Sequence, residues 1–225
     1  MESSRTFVIS LGGSIMIPDN IDADFLKHFT RLVQRYVDMG HRFVIITGGG
    51  KVCRRYQAAL STITEAPDQD LDWLGIYTTH LNAQFLRLAF GDAVYSEIVT
   101  NASEFSDPGD AIILAAGYQP GASTDLNAVK LANVVGADTV LNLSNIDYAY
   151  DKDPRQFTDA QPIHEISWAD FRQLIPAPED WGPGASAPFD PIASQLADQS
   201  GVNVVIMNGT KLDNLEAYFK GKEAV

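Results

Sequence analysis

The sequence has few of the features that would place a protein outside the cell or in a membrane. Cys53 is the single cysteine among 225 residues, so no internal disulfide can form. The longest uninterrupted aliphatic stretch, Ala111 to Ala116, is far too short to span a bilayer. Near the N-terminus, Phe7 to Leu11 runs directly into two glycines and is no secretory signal. We therefore expect a cytoplasmic protein with no membrane partner.

Positive charge is also scarce. Lys and Arg total 16 against 29 Asp and Glu, which gives a formal net charge of −13. Because nucleic-acid binding depends on basic surface, this balance predicts no nucleic-acid partner. Most of the acidic surface is read as a solubility feature or an adaptation to a salty habitat. In so acidic a protein, a local cluster of basic residues therefore indicates a binding site for an anion.

Short β-branched runs alternate with amphipathic stretches, which is typical of βαβ units and a mostly parallel sheet. One amphipathic stretch begins at Asp22, as N-cap, and ends at Gly40. We find neither a repeat nor a long linker, so the prediction is a single α/β domain over 1–225, a three-layer αβα sandwich. The predicted strands are Thr6–Leu11, Arg42–Thr47, Ala93–Val99, Ala111–Ala115, Thr139–Leu143 and Asn203–Met207. The other predicted helices are Lys51–Thr64, Asp72–Phe90, Thr124–Val135, Trp168–Leu174, Pro191–Ser200 and Leu212–Lys220.

Three segments between these elements are predicted to be irregular because they lack periodicity. They are residues 65–71, 143–161 and 176–188, of which the last is rich in proline and glycine. We expect residues 176–188 to form a loop that covers a site.

Three consecutive glycines, Gly48 to Gly50, separate a predicted strand from a helix that begins with basic residues. Glycine lets a ligand approach the backbone, and the helix start directs unpaired N–H groups at the same point. Lys51, Arg54 and Arg55 add full positive charges within the first turns. This combination predicts a binding site for an anion, specifically a phosphate. The alternative is a glycine-rich turn that binds nothing.

Four glycine-rich or polar turns follow predicted strands. They are Gly12–Ser14, Gly48–Gly50, Gly117–Asp125 and Ser144–Pro154. Open α/β sheets bind ligands at the carboxyl ends of their strands. If the strands are parallel, the four turns line a single crevice.

Several residues near these turns have two possible roles. Ser123 or Thr124 can cap the following helix and hold a second phosphate. Asp125 is either a carboxylate stabilised by the helix dipole or an organiser of cations around a transferred group. Asp72 is either an N-cap or an acceptor of hydrogen bonds from ribose hydroxyls. For His80, a surface or capping role is favoured over catalysis.

Together these turns resemble the amino acid kinase superfamily, and most closely its uridylate (UMP) kinases of the archaeal type. The resemblance runs from Ser10 to Gly209 and is most specific in four segments: GGGKVCRRY, DWLGIYTTHLNA, PGASTD and SNIDYAYDKDP. It implies transfer of the γ-phosphoryl group of ATP to UMP, giving ADP and UDP in pyrimidine nucleotide biosynthesis. It also implies Mg²⁺ carried on the ATP phosphates and a homo-oligomer, specifically a hexamer.

The resemblance also assigns roles to individual residues. The implied ATP-binding residues are Gly13, Ser14, Gly50, Arg54, Ser144, Asn145, Tyr150 and Asp153. The implied UMP-binding residues are Gly49, Asp72, Tyr118, Gln119, Pro120, Gly121, Ala122, Ser123 and Thr124. The residues expected to act on the transferred group are Lys51, Arg54, Asp125 and Asp190.

Two positions depart from the pattern of the superfamily. Ser10 stands where many relatives carry a lysine, and Tyr148 replaces a glycine in the segment after the fifth predicted strand. A bulky ring at Tyr148 would narrow the nucleotide pocket. Two alternatives therefore stay open: a kinase of another small acceptor, such as a carboxylate, carbamate or isopentenyl phosphate, and a non-catalytic nucleotide- or oxyanion-binding storage or regulatory protein.

Overall fold

The computed structural model describes residues 4–154, 156–180 and 187–222. Its centre is a six-stranded, all-parallel sheet with the strand order β3-β4-β2-β1-β5-β8. The strands of this sheet are β1 (Thr6–Leu11), β2 (Arg42–Thr47), β3 (Val94–Val99), β4 (Ile112–Ala115), β5 (Thr139–Ser144) and β8 (Asn203–Asn208). A separate antiparallel ribbon joins β6 (Ala149–Tyr150) to β7 (Pro162–Ile163).

Helices cover both faces of the sheet. They are α1 (Gly13–Met16), α2 (Ala23–Asp38), α3 (Gly50–Ile63), α4 (Asp68–Phe90), α5 (Thr124–Val135), α6 (Trp168–Leu174), α7 (Pro191–Ser200) and α8 (Leu212–Phe219). One core contains buried side chains of α2, α4 and α8, and the other contains those of α5, α6 and α7. This arrangement confirms the predicted αβα sandwich around a parallel sheet.

The strands of the central sheet follow the prediction to within one residue at each end. Several are apolar at consecutive positions, as β1 and β2 are, because a parallel sheet covered by helices buries both faces of each strand. Asp22 caps α2 as expected, since its side chain accepts a 2.9 Å hydrogen bond from the Phe25 N–H. The short helix α1 and the β6–β7 ribbon were not predicted.

The prediction for the start of α4 is wrong. The helix begins at Asp68, so Asp72 lies inside it and is not its N-cap. Asp68 and Asp70 fall in the first turn, where the helix dipole favours negative charge. Most of the segment predicted to be irregular, residues 65–71, is therefore helical.

Within residues 176–188, a short 3₁₀ turn spans Pro178–Asp180, and residues 181–186 lie outside the described part of the chain. The covering loop expected there stays a prediction. Over the described residues, none of the helices combines the length and hydropathy needed to cross a membrane.

Candidate active site

The four polar turns lie side by side along one edge of the sheet. Because β4, β2, β1 and β5 are neighbours and parallel, their carboxyl ends meet at this edge in that order. The strand register aligns Leu11 of β1 with Thr47 of β2 and with Leu143 of β5. The turns after these strands therefore begin at the same level, as a shared crevice requires.

The turns after β1 and β2 touch each other through their backbones. A Cβ added to Gly48 would lie 2.7 Å from the Gly13 nitrogen, and one added to Gly50 would lie 2.5 Å from the Gly13 carbonyl oxygen. Gly50 also has a φ of +66°, in the left-handed region that favours glycine. The two turns thus approach more closely than any other residue type would permit.

Arg54 reaches from α3 across these turns. Its Nη2 donates a 3.0 Å hydrogen bond to the Ser14 hydroxyl, which belongs to the turn after β1. The guanidinium is exposed, so its remaining N–H groups are accessible to an anion above the glycines.

Lys51 and Arg55 are directed elsewhere. Lys51 Nζ lies 3.1 Å from the Asp19 carboxylate, and Arg55 donates a 3.0 Å hydrogen bond to the Asp19 carbonyl oxygen. The expected cluster of three cations is therefore divided, with Arg54 on the glycine turns and the other two on Asp19. Exposed ion pairs of this kind contribute only about 0–1 kcal/mol, so they break readily when a stronger anion arrives.

Polar side chains next to the glycine turns form what we call the floor of the crevice. They are Ser10, Asp125, Asn142 and Asp190. The hydroxyl of Ser10, which is 4% exposed, donates a 2.8 Å hydrogen bond to Asp125 at the start of α5. Asp190, also buried, caps α7 by accepting a 2.6 Å hydrogen bond from the Ala193 N–H. Asn142 pairs in register with Ser10 and donates to the Pro188 carbonyl oxygen, which holds the segment before Asp190 in place.

The environment of Asp125 changes its acidity. Burial raises the pKa of its carboxyl from 3.8 to about 6, and the negative charge of Asp190 acts in the same direction. Hydrogen bonds from the Ser10 hydroxyl and the Asp190 backbone oppose this shift without cancelling it. The first-turn position of Asp125 does not keep its pKa low, and both roles weighed for this residue stay predictions.

Helix α5, which follows the turn after β4, is capped by Ser123 and not by Thr124. The Ser123 hydroxyl accepts a 3.0 Å hydrogen bond from the Leu126 N–H, which leaves the Thr124 side chain outside the capping interaction. Asp72, from α4, accepts a 2.9 Å hydrogen bond from the Gly121 N–H. Asp72 therefore contacts the turn after β4 (Gly117–Asp125), called the acceptor turn because the sequence predicts that it binds UMP. Asp72 does not have the capping role that the sequence allowed.

The turn after β5 leads into the β6–β7 ribbon, where the ring of Tyr148 meets that of His164 edge to face, with centroids 4.8 Å apart. Lys211, which follows β8, lies 2.6 Å from the Asp147 carboxylate. Of the implied nucleoside-binding residues, Asn145 is exposed, and Ser144, Tyr150 and Asp153 are half-buried.

Residues 5–208 match the model of the amino acid kinase family. The chain belongs to this family. It is 32% identical over 219 residues to a uridylate kinase of Methanobrevibacter smithii. This match covers 96% of this chain and 95% of the relative. It is also 31% identical over 215 residues to a uridylate kinase of Haloquadratum walsbyi, and this match covers 93% of this chain and 87% of the relative. The resemblance stated from the turns is thereby confirmed.

The fold agrees with those of solved uridylate and UMP kinases. A crystal structure of uridylate kinase from Archaeoglobus fulgidus superimposes with a TM-score of 0.80 over 98% of this chain and 97% of that one, at 23% identity. UMP kinase from Bacillus anthracis superimposes with a TM-score of 0.76 at 20% identity. At these identities the likeness concerns the fold alone.

Sequence reasoning missed several polar side chains that hold the family's turns in place. Asn82 donates a 2.8 Å hydrogen bond to the Gly48 carbonyl oxygen, and Asn127 donates one of 2.8 Å to the Ala116 carbonyl oxygen. Thr79 contacts the backbone of Gly117, and so does the half-buried His80, for which the sequence favoured a surface or capping role. The available signal was the presence of polar residues at buried positions of otherwise apolar helices, because such groups need partners.

Cys53 is half-buried against Gly49 and Gly75, and burial raises the pKa of its thiol. A protonated thiol is a poor nucleophile, so a nucleophilic role for Cys53 is disfavoured. In the described ranges, no three His, Cys, Asp or Glu side chains are grouped closely enough to form a metal site.

Proposed function

We propose that this protein is a UMP kinase that transfers the γ-phosphoryl group of ATP to UMP, giving ADP and UDP. The observation that carries the proposal is the contact of Gly13 with Gly48 and Gly50, which joins two anion-binding turns at the centre of a four-turn crevice. Near-full-length similarity to uridylate kinases supports the choice of acceptor.

On the proposed ATP side, the phosphates lie over the central glycine turns and the nucleoside lies over the turn after β5. Gly13 and Gly50 offer N–H groups at helix starts, and the Ser14 hydroxyl and Arg54 guanidinium are already joined there. Proposed contacts to the nucleoside come from Ser144, Asn145, Tyr150 and Asp153.

On the proposed UMP side, the phosphate and base lie within the turn after β4. Gly49, Asp72 and residues 118–124 form this side. Asp72 binds the Gly121 N–H through Oδ2. A carboxylate has two oxygens, so Oδ1 remains available to ribose hydroxyls.

Phosphoryl transfer between two nucleotides needs alignment and charge neutralisation more than covalent chemistry. We assign Arg54 to the transferring group, with Lys51 joining once its exposed pair with Asp19 is displaced. The acceptor phosphate is already anionic, so no general base is required. Mg²⁺ is expected to enter on the ATP phosphates and supplies charge neutralisation when bound.

We assign Asp125 and Asp190 to the floor beneath the transferring group. Asp125 is held by Ser10 in the first turn of α5, and Asp190 is the N-cap of α7, so each carboxylate is fixed at a helix N-terminus. Their proposed role is to organise cations at the reacting phosphates. Because Ser10 replaces the lysine of many relatives, more of the positive charge must come from Arg54 and the metal.

We further propose that the protein acts in the cytoplasm as a homo-oligomer, and we expect a hexamer. The outer face of α4 carries an apolar stripe of Tyr77, Leu81, Phe85 and Leu88, which are 62%, 64%, 41% and 67% exposed. These residues follow helical spacing, and a second copy of the same helix would bury them symmetrically.

A coupled assay of ADP release across UMP, CMP, AMP and small carboxylates tests the proposal. We expect turnover with UMP to exceed turnover with every other acceptor. Preference for a carboxylate or another phosphate would indicate a different kinase. ATP binding without turnover on any acceptor would indicate a non-catalytic binding protein.

A further inference from the structure

Helix α4 is hydrogen-bonded to Gly117, the first residue of the acceptor turn. The Gly117 N–H donates a 2.8 Å hydrogen bond to Thr79 Oγ1, and the Gly117 carbonyl oxygen lies 2.7 Å from His80 Nε2. Since a carbonyl oxygen only accepts, His80 Nε2 must carry a proton. Two adjacent side chains thus satisfy both backbone groups of the first residue in the turn.

The same helix is also hydrogen-bonded to Gly121, in the middle of the acceptor turn. Asp72 accepts the hydrogen bond from Gly121, and it precedes Thr79 by about two helical turns, which places both residues on the same side of α4. Gly121 has a φ of +78°, so the chain reverses at the point where Asp72 fixes it. Residues 117–121 are therefore attached to one helix at both ends.

Helix α4 is itself fastened to the glycine turn after β2. Asn82 bonds to the Gly48 carbonyl oxygen, and the buried Thr47 hydroxyl donates a 2.9 Å hydrogen bond to the Thr79 carbonyl oxygen. A displacement of α4 would move the acceptor turn relative to the glycines. The helix consequently sets the distance between the two anion-binding turns.

We infer that Thr79 and His80 are positioning residues that hold the acceptor turn ready for the nucleoside monophosphate. The inference rests on the proposed function of this site. Neither residue needs to touch a nucleotide, because both act through the Gly117 backbone. A preorganised turn lowers the ordering cost of binding the acceptor and leaves ATP binding to other turns.

Variants at the two positions separate this role from general stability. Thr79→Val and His80→Leu remove the contacts to Gly117, whereas Thr79→Ser and His80→Gln retain a polar atom of similar reach. Thr78→Val is the matched control, because Thr78 is as buried as Thr79 and its hydroxyl donates to the Leu74 carbonyl oxygen within the helix. The readouts are KM for each substrate, kcat, and hydrogen exchange of the Gly117 and Gly121 amides without ligand.

We expect Thr79→Val and His80→Leu to raise KM for UMP about tenfold, with KM for ATP changed less than about twofold. Exchange of the Gly117 amide should accelerate in Thr79→Val, and Thr79→Ser and His80→Gln should restore the KM for UMP. Equal losses for both substrates, or effects no larger than those of Thr78→Val, would overturn the inference. If the wild-type protein does not phosphorylate UMP, the proposed function fails, while unchanged Gly117 exchange in Thr79→Val would independently refute the attachment of the turn.

Discussion

Ser10 and Asp125, on β1 and α5, are joined by a 2.8 Å hydrogen bond on the floor of the crevice. The bond links the central strand of the sheet to the helix that follows the acceptor turn. It also places a carboxyl with a pKa of about 6 beneath the proposed reacting phosphates. The protonation state of Asp125 therefore changes within the range where most assays are performed.

This acidity makes a prediction about stability. Between the unfolded-state pKa of 3.8 and the folded-state pKa of about 6, the folded protein binds more protons than the unfolded chain. The contribution of Asp125 to the free energy of unfolding therefore falls as the pH rises through this window. Asp125→Asn keeps an acceptor for Ser10 but cannot ionise, so it avoids the cost of a buried negative charge. Above about pH 6 its free energy of unfolding should exceed that of the wild type by up to about 3 kcal/mol.

Urea unfolding of both proteins at about pH 5 and about pH 7.5 measures this difference. The advantage of Asp125→Asn should grow at the higher pH. A stability difference that does not vary with pH would show that Asp125 ionises normally in the folded protein.

Arg54→Ala should lower kcat/KM about 100-fold or more, because charge-assisted hydrogen bonds to the transferring group are lost. Arg55→Ala is the control on the same helix, since its guanidinium bonds to Asp19. Steady-state kinetics should separate the two variants clearly. A near-wild-type rate for Arg54→Ala would remove Arg54 from the site.

Asp72→Ala should raise KM for UMP about tenfold with a smaller effect on ATP, because it removes both the proposed ribose contact and the partner of Gly121. Asp72→Asn keeps an oxygen for the Gly121 N–H and should have the milder effect. The comparison requires KM for each substrate. Equal weakening of both would count against the assignment of Asp72 to the acceptor.

Gly50→Ala should destabilise the protein by about 3 kcal/mol or more, because the new Cβ meets the Gly13 carbonyl and the backbone is left-handed. Gly40→Ala provides the control, since Gly40 also has a positive φ but faces open space. Its cost should be limited to backbone strain of about 1–2 kcal/mol. Thermal or urea unfolding of both variants measures the difference, and similar losses would mean that the contact of the turns contributes little.

Leu81→Asp should dissociate the proposed oligomer, because it places a charge in the centre of the apolar stripe on α4. Leu174→Asp, at an exposed leucine of α6, is the matched control and should leave the assembly intact. Sedimentation equilibrium distinguishes the outcomes. A wild-type protein that sediments as a monomer would refute the oligomer directly.

Much of the fold follows from local patterns. Buried runs such as Phe43–Thr47 identify strands because both faces of a parallel sheet are covered, and glycine turns identify the ligand edge. The start of α4 was misplaced because Asp72 suits an N-cap, whereas the helix begins after Pro67 without a side-chain cap. Capping chemistry alone does not fix a helix boundary.

The attachments within the site could not be predicted in the same way. The partners of Thr79, His80 and Asn82 could not be predicted from the helical pattern, because Gly117 and Gly48 contribute backbone groups that are distant in sequence. Likewise, Lys51 is separated from Arg54 by its attraction to Asp19, a residue in a loop that has no recognisable pattern. Side-chain direction depends on such tertiary partners, which sequence spacing does not reveal.

The strand order divides the proposed crevice between two parts of the sequence. All strands and helices that hold the proposed acceptor turn lie before about residue 135, whereas β5 and β8, which complete the other half of the rim, are Thr139–Ser144 and Asn203–Asn208. β1, which lies between β2 and β5, therefore joins two parts of the sheet that are far apart in the sequence. The part that carries the proposed UMP turn precedes residue 136, whereas the turn after β5, with the proposed nucleoside contacts of ATP, follows it.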